Sequence, residues 1–258
     1  SFGIKFSRNL LHLCYEGFGI VCQCEIILSF FSFLSMYVCF NGRFLDAAKL
    51  KISPFDQGFL YGDGVYETLR TYRGNLWQPD LHLRRLQNSL RVAKIDIPWS
   101  VQELRKFIET LIVRNNYRES RIRLMITRGV SLTKGAFFRP SLVQSPTLFI
   151  TCYRLPVWKS GILQTGRCVF FEVERNFPSV KTTSIFPLIL GRIHADEHDA
   201  VDALLVDRRG FVKEGAISNI FIYKNKVLVT PGQDILKGTM RDFILKLVHG
   251  ICRVKFRA

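Results

Sequence analysis

Acidic residues are scarce in this chain: 21 Asp and Glu stand against 37 Lys and Arg, a formal net charge of +16. That excess lacks the organisation of a nucleic-acid surface. It is spread along the chain, as in RTYRG at 70–74 and RVKFRA at 253–258, with no dense basic run and no aromatic–basic motif of an RNA-binding sheet. No nucleic-acid partner is therefore expected, and the charge is read as favouring an anionic small ligand. The seven cysteines are odd in number; Cys14, Cys22, Cys24 and Cys39 lie early and Cys152, Cys168 and Cys252 are scattered. Neither a disulfide framework nor a paired Cys/His metal spacing is present, so no metal is expected and reduced thiols in a cytoplasmic setting are the reading. Repeats and low-complexity tracts are absent as well. Long apolar runs are also missing: the uncharged stretch 26–40 falls short of the roughly 20 residues a membrane span needs, and extending it backward meets Glu25. No basic start and cleavage site mark a signal peptide, so no membrane partner is expected.

What is present is a core. The 258 residues are 48% hydrophobic and include 22 Phe, enough for one large core or two modest ones. The chain starts with Ser, and residues 1–35 read differently from the rest; they are expected to be an upstream extension ahead of a natural start at Met36. From Met36 the pattern predicts a hairpin over 36–52 around Asn41-Gly42 and a strand over 66–72 that turns at Arg73-Gly74-Asn75. Leu83, Leu86, Leu90 and Ala93 predict a helix over about 80–95, and Ser100 with Glu103 forms a capping box for a second helix striped by Leu104, Phe107, Ile108 and Leu111. Strands are predicted at 121–127 and 147–153, then at 203–206, 210–212, 219–223 and 226–230, the first of these four turning at Asp207-Arg208-Arg209-Gly210. A last helix follows Gly238, with Met240, Phe243, Ile244 and Leu247 on one side. The expected class is α+β, with a small N-terminal domain over 36–155 and a larger β-rich domain over 156–258.

Five segments carry the chemistry: SPFDQGF at 53–59, YGDGVYET at 61–68, HLRRL at 82–86, EGAISN at 214–219 and ILKGTMR at 235–241. In this order and spacing they resemble the class IV aminotransferases, which include branched-chain aminotransferases, D-amino-acid aminotransferases and aminodeoxychorismate lyases. The resemblance covers about 36–248 and implies a two-domain fold, pyridoxal 5'-phosphate as cofactor and a homodimer. Family members run on past the helix after Gly238, so the chain is expected to be short at its C-terminus.

A pyridoxal-phosphate site needs an amine to hold the cofactor, a carboxylate at the pyridine nitrogen, donors for the phosphate and groups that orient substrate. The resemblance implies Lys181 as the amine, because it precedes Glu214 at the distance the family keeps, although Ser184 and Ile185 replace the usual Asn and bulky residue after it. Glu214 is the implied carboxylate, followed by small residues where a backbone passes close to a cofactor; Ser218 and Asn219 belong to the same cofactor-binding segment. Arg85 takes the family's phosphate-arginine place, with adjacent Arg84 pointing about 100° away. Gly238, Thr239 and Met240 would offer backbone N–H groups at a helix start, in place of the family's usual Gly-Ile-Thr-Arg; the lyases often carry Met where Met240 stands. Tyr66 and Glu67 are expected to line the substrate side. Arg123 and Arg128 are candidates for the substrate carboxylate, of which one at most faces inward.

The implied reaction is amino-group transfer between an amino acid, with the branched-chain ones as candidates, and a 2-oxo acid. The alternative is an aminodeoxychorismate lyase that makes 4-aminobenzoate and pyruvate. A third reading is an inactive, truncated homologue. The Arg-x-His pair typical of D-specific members is missing from VSLTKGAFF at 130–138.

Overall fold

In the computed structural model the described residues are 36–133, 139–143, 145–157 and 165–257. The proposed extension 1–35, with Cys14, Cys22 and Cys24, and most of the segment 130–138 lie outside them.

The chain opens with strands β1 (Tyr37–Phe40) and β2 (Arg43–Asp46), paired so that Phe40 faces Arg43. Asn41 and Gly42 make the turn at φ 48° and 79°, the left-handed pair that a two-residue hairpin requires. A short helix α1 (Gln57–Tyr61), N-capped by Asp56, ends at Gly62 with φ 67°. It leads into β3 (Gly64–Tyr72) and a two-residue β4 (Asn75–Leu76). Helices α2 (Pro79–Ala93) and α3 (Val101–Asn115) follow, and Ser100 and Glu103 form the reciprocal capping box at the start of α3. Strands β5 (Ser120–Thr127) and β6 (Thr147–Arg154) complete an antiparallel sheet of order β2-β1-β6-β5-β3-β4.

The period-2 pattern of β5 decides what each face of this sheet does. Ile122, Leu124 and Ile126 are fully buried with Leu83 and Leu86 of α2 and Leu104, Ile108 and Leu111 of α3. Burying one such aliphatic side chain contributes about 1.5–3 kcal/mol, so this cluster dominates the stability of the sheet. The opposite face, which carries Tyr66, Thr68, Arg121 and Arg123, lines a cleft.

Two further three-stranded sheets follow. In the first, β7 (Cys168–Glu172) runs parallel to β8 (Asp202–Val206), with α4 (Phe186–Glu197) between them in sequence, and β9 (Val212–Gly215) is antiparallel to β8. In the second, β10 (Ile222–Lys224) pairs antiparallel with β11 (Val227–Pro231), which is parallel to β12 (Arg253–Arg257). Helix α5 (Thr239–Leu247) connects β11 to β12. A second, smaller core of Ala195, Ala200, Ala203, Leu205 and Ala216 holds α4 on the β7–β9 sheet.

The mixture of helices and sheets is the expected α+β class. Three details differ from expectation. The strand read at 210–212 lies at 212–215, because Asp207 caps the turn by accepting from the N–H groups of Arg209 and Phe211. The strand read at 219–223 is shorter and later, at 222–224. Helix α4 and strands β7 and β12 have no counterpart in the sequence pattern. No helix among the described residues is long and apolar enough to cross a membrane.

Candidate active site

The cleft on the open face of the six-stranded sheet has a volume of about 790 Å³. Lys181, Arg85, Glu214, Ser218, Asn219, Gly238, Thr239, Met240, Tyr66 and Arg123 all line it, brought from six separate stretches of chain.

Lys181 is fixed by its backbone. The Tyr66 N–H donates to the Lys181 carbonyl at 2.9 Å and the Thr183 N–H to the Gly64 carbonyl at 2.9 Å, so residues 181–183 run along the free edge of β3. The Lys181 N–H donates to Ser89 Oγ of α2 at 3.3 Å. These bonds hold Nζ 4.5 Å from the centre of the Tyr66 ring, while the Arg123 guanidinium lies 4.1 Å from the same ring centre. Burial, reinforced by the nearby positive charge of Arg85, lowers the Lys181 amine to about 8 against the opposing pull of Glu67. An amine so placed is roughly one-tenth neutral at pH 7, and only the neutral form can attack a carbonyl or accept a proton.

Glu214 sits on β9 and is 4% exposed. Its Oε1 accepts from Arg175 Nη1 at 2.8 Å; its Oε2 accepts from the Leu236 N–H at 3.1 Å and from Asn219 Nδ2 at 3.3 Å. Burial pushes the carboxyl up, opposed by Arg175 and Lys181. Asn219 Nδ2 also donates to the Leu236 carbonyl at 2.9 Å, which ties the glutamate to the loop ahead of α5. Gly238 follows in that loop, and a Cβ there would displace the Asn219 amide from its bonds to Glu214 and Leu236. Gly238 is the N-cap of α5 and offers no side-chain cap, which leaves the first-turn N–H groups available to an anion.

Arg85, not Arg84, faces the cleft. Arg84 is exposed and donates back to the Asp80 carbonyl, whereas Arg85 Nε and Nη2 donate to Glu67 Oε1 and Oε2 at 2.6 and 2.8 Å. Arg85 Nη1 reaches the Lys237 carbonyl at 3.0 Å, beside the α5 N-terminus. His82 Nδ1 donates to Glu67 Oε2 at 2.8 Å, and its Nε2 lies 3.3 Å from Thr239 Oγ1. Burial pushes the Glu67 carboxyl up, but the bonds from Arg85 and His82 outweigh it and hold it below the ordinary glutamate range. The anionic carboxylate thereby orients the arginine and, through His82, the threonine on the other wall.

Two expectations are corrected. Glu67 does not line the substrate side: alternate strand residues face opposite ways, so Tyr66 enters the cleft and Glu67, with no exposed surface, points beneath the sheet. Arg128 does not line the cleft. Its guanidinium is held by Asp63 at 2.6 and 3.1 Å and by the Ala93 and Lys94 carbonyls at the end of α2. Ser218 lines the cleft, yet its hydroxyl donates to Asp202 at 2.7 Å. Arg175 was missed. It pairs with Glu214 and donates to the Val180 carbonyl at 3.2 Å, linking the acid to the residue before Lys181. No local motif marks it; its place shortly before Lys181 is the only hint the sequence offers.

The donor set fits pyridoxal phosphate: a half-buried amine with a lowered proton affinity, a buried carboxylate, and an arginine beside an uncapped helix start. Comparison with known proteins agrees. The profile of the amino-transferase class IV family matches residues 64–257. A Methanocaldococcus jannaschii protein designated a branched-chain-amino-acid aminotransferase is 39% identical over 222 residues, 82% of this chain and 74% of that protein. The aminodeoxychorismate lyase of Bacillus subtilis is 30% identical over 80% of this chain and 71% of its own length. The D-alanine aminotransferase of Bacillus licheniformis is 30% identical over 82% and 75%. Among solved structures, the branched-chain amino acid aminotransferase of Escherichia coli superposes with a TM-score of 0.79 at 23% identity, covering 86% of this chain and 77% of the other. A PLP-bound aminotransferase from Mycobacterium tuberculosis gives 0.73 at 22% identity, covering 86% and 81%. The chain belongs to the class IV aminotransferases, pyridoxal-phosphate-dependent enzymes of amino-group transfer whose relatives include a lyase.

Proposed function

We propose that this enzyme transfers an amino group between a branched-chain amino acid and a 2-oxo acid, as a cytoplasmic homodimer whose cleft lies between units 36–155 and 156–258. The observation that carries the reading is the convergence of Lys181, Glu214, Arg85 and the start of α5 on one cavity. Bound pyridoxal phosphate supplies an electron sink for the pair of electrons left when the substrate Cα loses its proton.

The residues of the chain do the rest. Lys181 is the amine that would hold the cofactor and the base that would take the substrate Cα proton; burial and the Arg85 charge already lower its proton affinity in the cofactor-free protein. Glu214 would pair with the pyridine nitrogen, with Arg175, Asn219 and the Leu236 N–H fixing its direction. Arg85 and the Gly238, Thr239 and Met240 backbone would hold the phosphate, and Ser218 with Asn219 would shape the wall beside it. Tyr66 and Arg123 orient the substrate, the guanidinium over the ring being a natural partner for a carboxylate.

The 39% relative supports the branched-chain assignment. A lyase reading keeps one observation in its favour: Met240, about half exposed in the cleft, occupies the position where lyases of the family carry methionine. One pair of assays tests both. Glutamate formation from 2-oxoglutarate with leucine, isoleucine or valine supports the transferase. Release of 4-aminobenzoate and pyruvate from aminodeoxychorismate, with no glutamate formed, would replace it by the lyase.

A further inference from the structure

The face of α4 turned away from the cleft carries a cluster that the amino-transfer site does not use. His194, Glu197 and His198 recur at intervals of three and four residues, which places them on one face of the helix end. None of them lines the cleft, although Arg192, Ile193 and Asp196 of the same helix do. One ligand atom from each of the three lies within 4.8 Å of the others, and no second group of this kind occurs among the described residues.

The hydrogen bonding suits a metal. His198 Nδ1 lies 2.8 Å from the His194 carbonyl oxygen. A carbonyl can only accept, so Nδ1 is the donor, and the neutral ring then offers Nε2 as its free lone pair. An imidazole that donates its other N–H to a backbone carbonyl has the outer contact typical of metal-bound histidines. His194 packs 5.4 Å from the Phe171 ring and 4.3 Å from the His198 ring, centre to centre, so its plane has an apolar backing. Asp196, the other carboxylate in this turn, is taken by Arg192 at 3.1 Å, which leaves Glu197 as the oxygen donor. Metal–nitrogen bonds of about 2.0–2.1 Å in tetrahedral geometry set the ligand atoms roughly 3.3 Å apart. Glu197 and His198 are exposed side chains that can close the difference by rotation.

We propose that His194, Glu197 and His198 form a binding site for a divalent transition-metal ion, separate from the cofactor cleft. Two imidazoles and one carboxylate select Zn(II), Ni(II) or Cu(II) over Mg(II) and Ca(II), which take oxygen donors. Two histidines one helical turn apart are a recurrent zinc-holding pair. Three protein ligands leave a fourth position for water or for a donor from another molecule. An ion here would staple the last turn of α4, whose other side forms a wall of the cleft. Cysteine-directed spacing hides such a site in the sequence, because its signal is the short run His194-x-x-Glu197-His198.

The test is calorimetric titration of the chelator-stripped holoenzyme with Zn(II) and with Ni(II), on the wild type, the His194→Ala/His198→Ala double variant and Glu197→Gln. The expected result is a single equivalent bound by the wild type and affinity weakened by about tenfold or more in each variant. The visible band of the cofactor should not change on metal addition. Cu(II) electron paramagnetic resonance should show nitrogen coupling that the double variant loses. No binding by the wild type, or equal binding by the double variant, would overturn the site and assign any metal uptake to thiols or cofactor.

Discussion

Replacing Lys181 by methionine should stabilise the cofactor-free protein at neutral pH, although it destroys the proposed catalytic amine. The amine ordinarily titrates at 10.5 and stands at about 8 in the fold, chiefly through burial. At pH 7 it is protonated in both the folded and the unfolded chain, and the fold binds that proton less tightly. The difference costs the native state about 3 kcal/mol, discounted because the side chain is not wholly removed from solvent. The contact of the ammonium with the Tyr66 ring at 4.5 Å returns about 1 kcal/mol. The net expectation for Lys181→Met is a gain of about 1–2 kcal/mol at pH 7, with side-chain length conserved. The sign follows from linkage. Between about 8 and 10.5 the unfolded lysine binds more protons than the folded one, so wild-type stability rises with pH relative to the variant. Above that window both states are neutral and the gap disappears. Urea denaturation of both cofactor-free proteins at pH 7 and pH 10.5 measures this, since other titrations cancel in the difference. A variant less stable at pH 7, or a gap of equal size at both pH values, would refute a strained, partly desolvated amine.

Glu214→Gln should leave the fold intact and lower turnover by roughly 10²-fold, read by steady-state kinetics with the preferred amino acid. Arg175→Met removes one partner of a buried ion pair and should cost about 3 kcal/mol in urea denaturation; it should also weaken pyridoxal phosphate retention in dialysis. Arg128→Ala should cost about 1–2 kcal/mol, because it frees two carbonyls at the end of α2 and unpairs Asp63. It should leave the KM for the amino acid unchanged, which an arginine in the cleft could not do. Ser100→Ala should cost about 1 kcal/mol in thermal or urea melts, with activity untouched.

Much of the first sheet and its helices was legible because their signals are local. Asn41-Gly42 specifies a hairpin by backbone conformation, Ser100 and Glu103 cap a helix reciprocally, and β5 alternates strictly between core and cleft. Helix α4 was not legible. Its N-cap is Ile185, without a side-chain hydrogen bond, and a weak helix former, Gly191, sits in its middle where the backbone packs against Leu205 and Phe171. One of its faces serves a cleft rather than a core, so Ile189 and Ile193 stay exposed and blur the apolar stripe. The parallel pairings of β7 with β8 and β11 with β12 depend on distant segments, and no turn residue announces them. In the site, motif order was enough to nominate Lys181, Glu214, Arg85 and the Gly238 segment. It could not show that Glu67 serves Arg85 instead of substrate, because that follows from which face of β3 is buried. Nor could it find Arg175, whose role exists only once Glu214 and Val180 are brought together.

The most direct test of the account asks which amine holds the cofactor. The protein should be loaded with pyridoxal phosphate, reduced with borohydride to fix the linkage, digested and mapped by mass spectrometry. The expected result is one phosphopyridoxyl-modified peptide, carrying the label on Lys181. Label on Lys213 or Lys237 with Lys181 unmodified, or no stable label after loading, would contradict it.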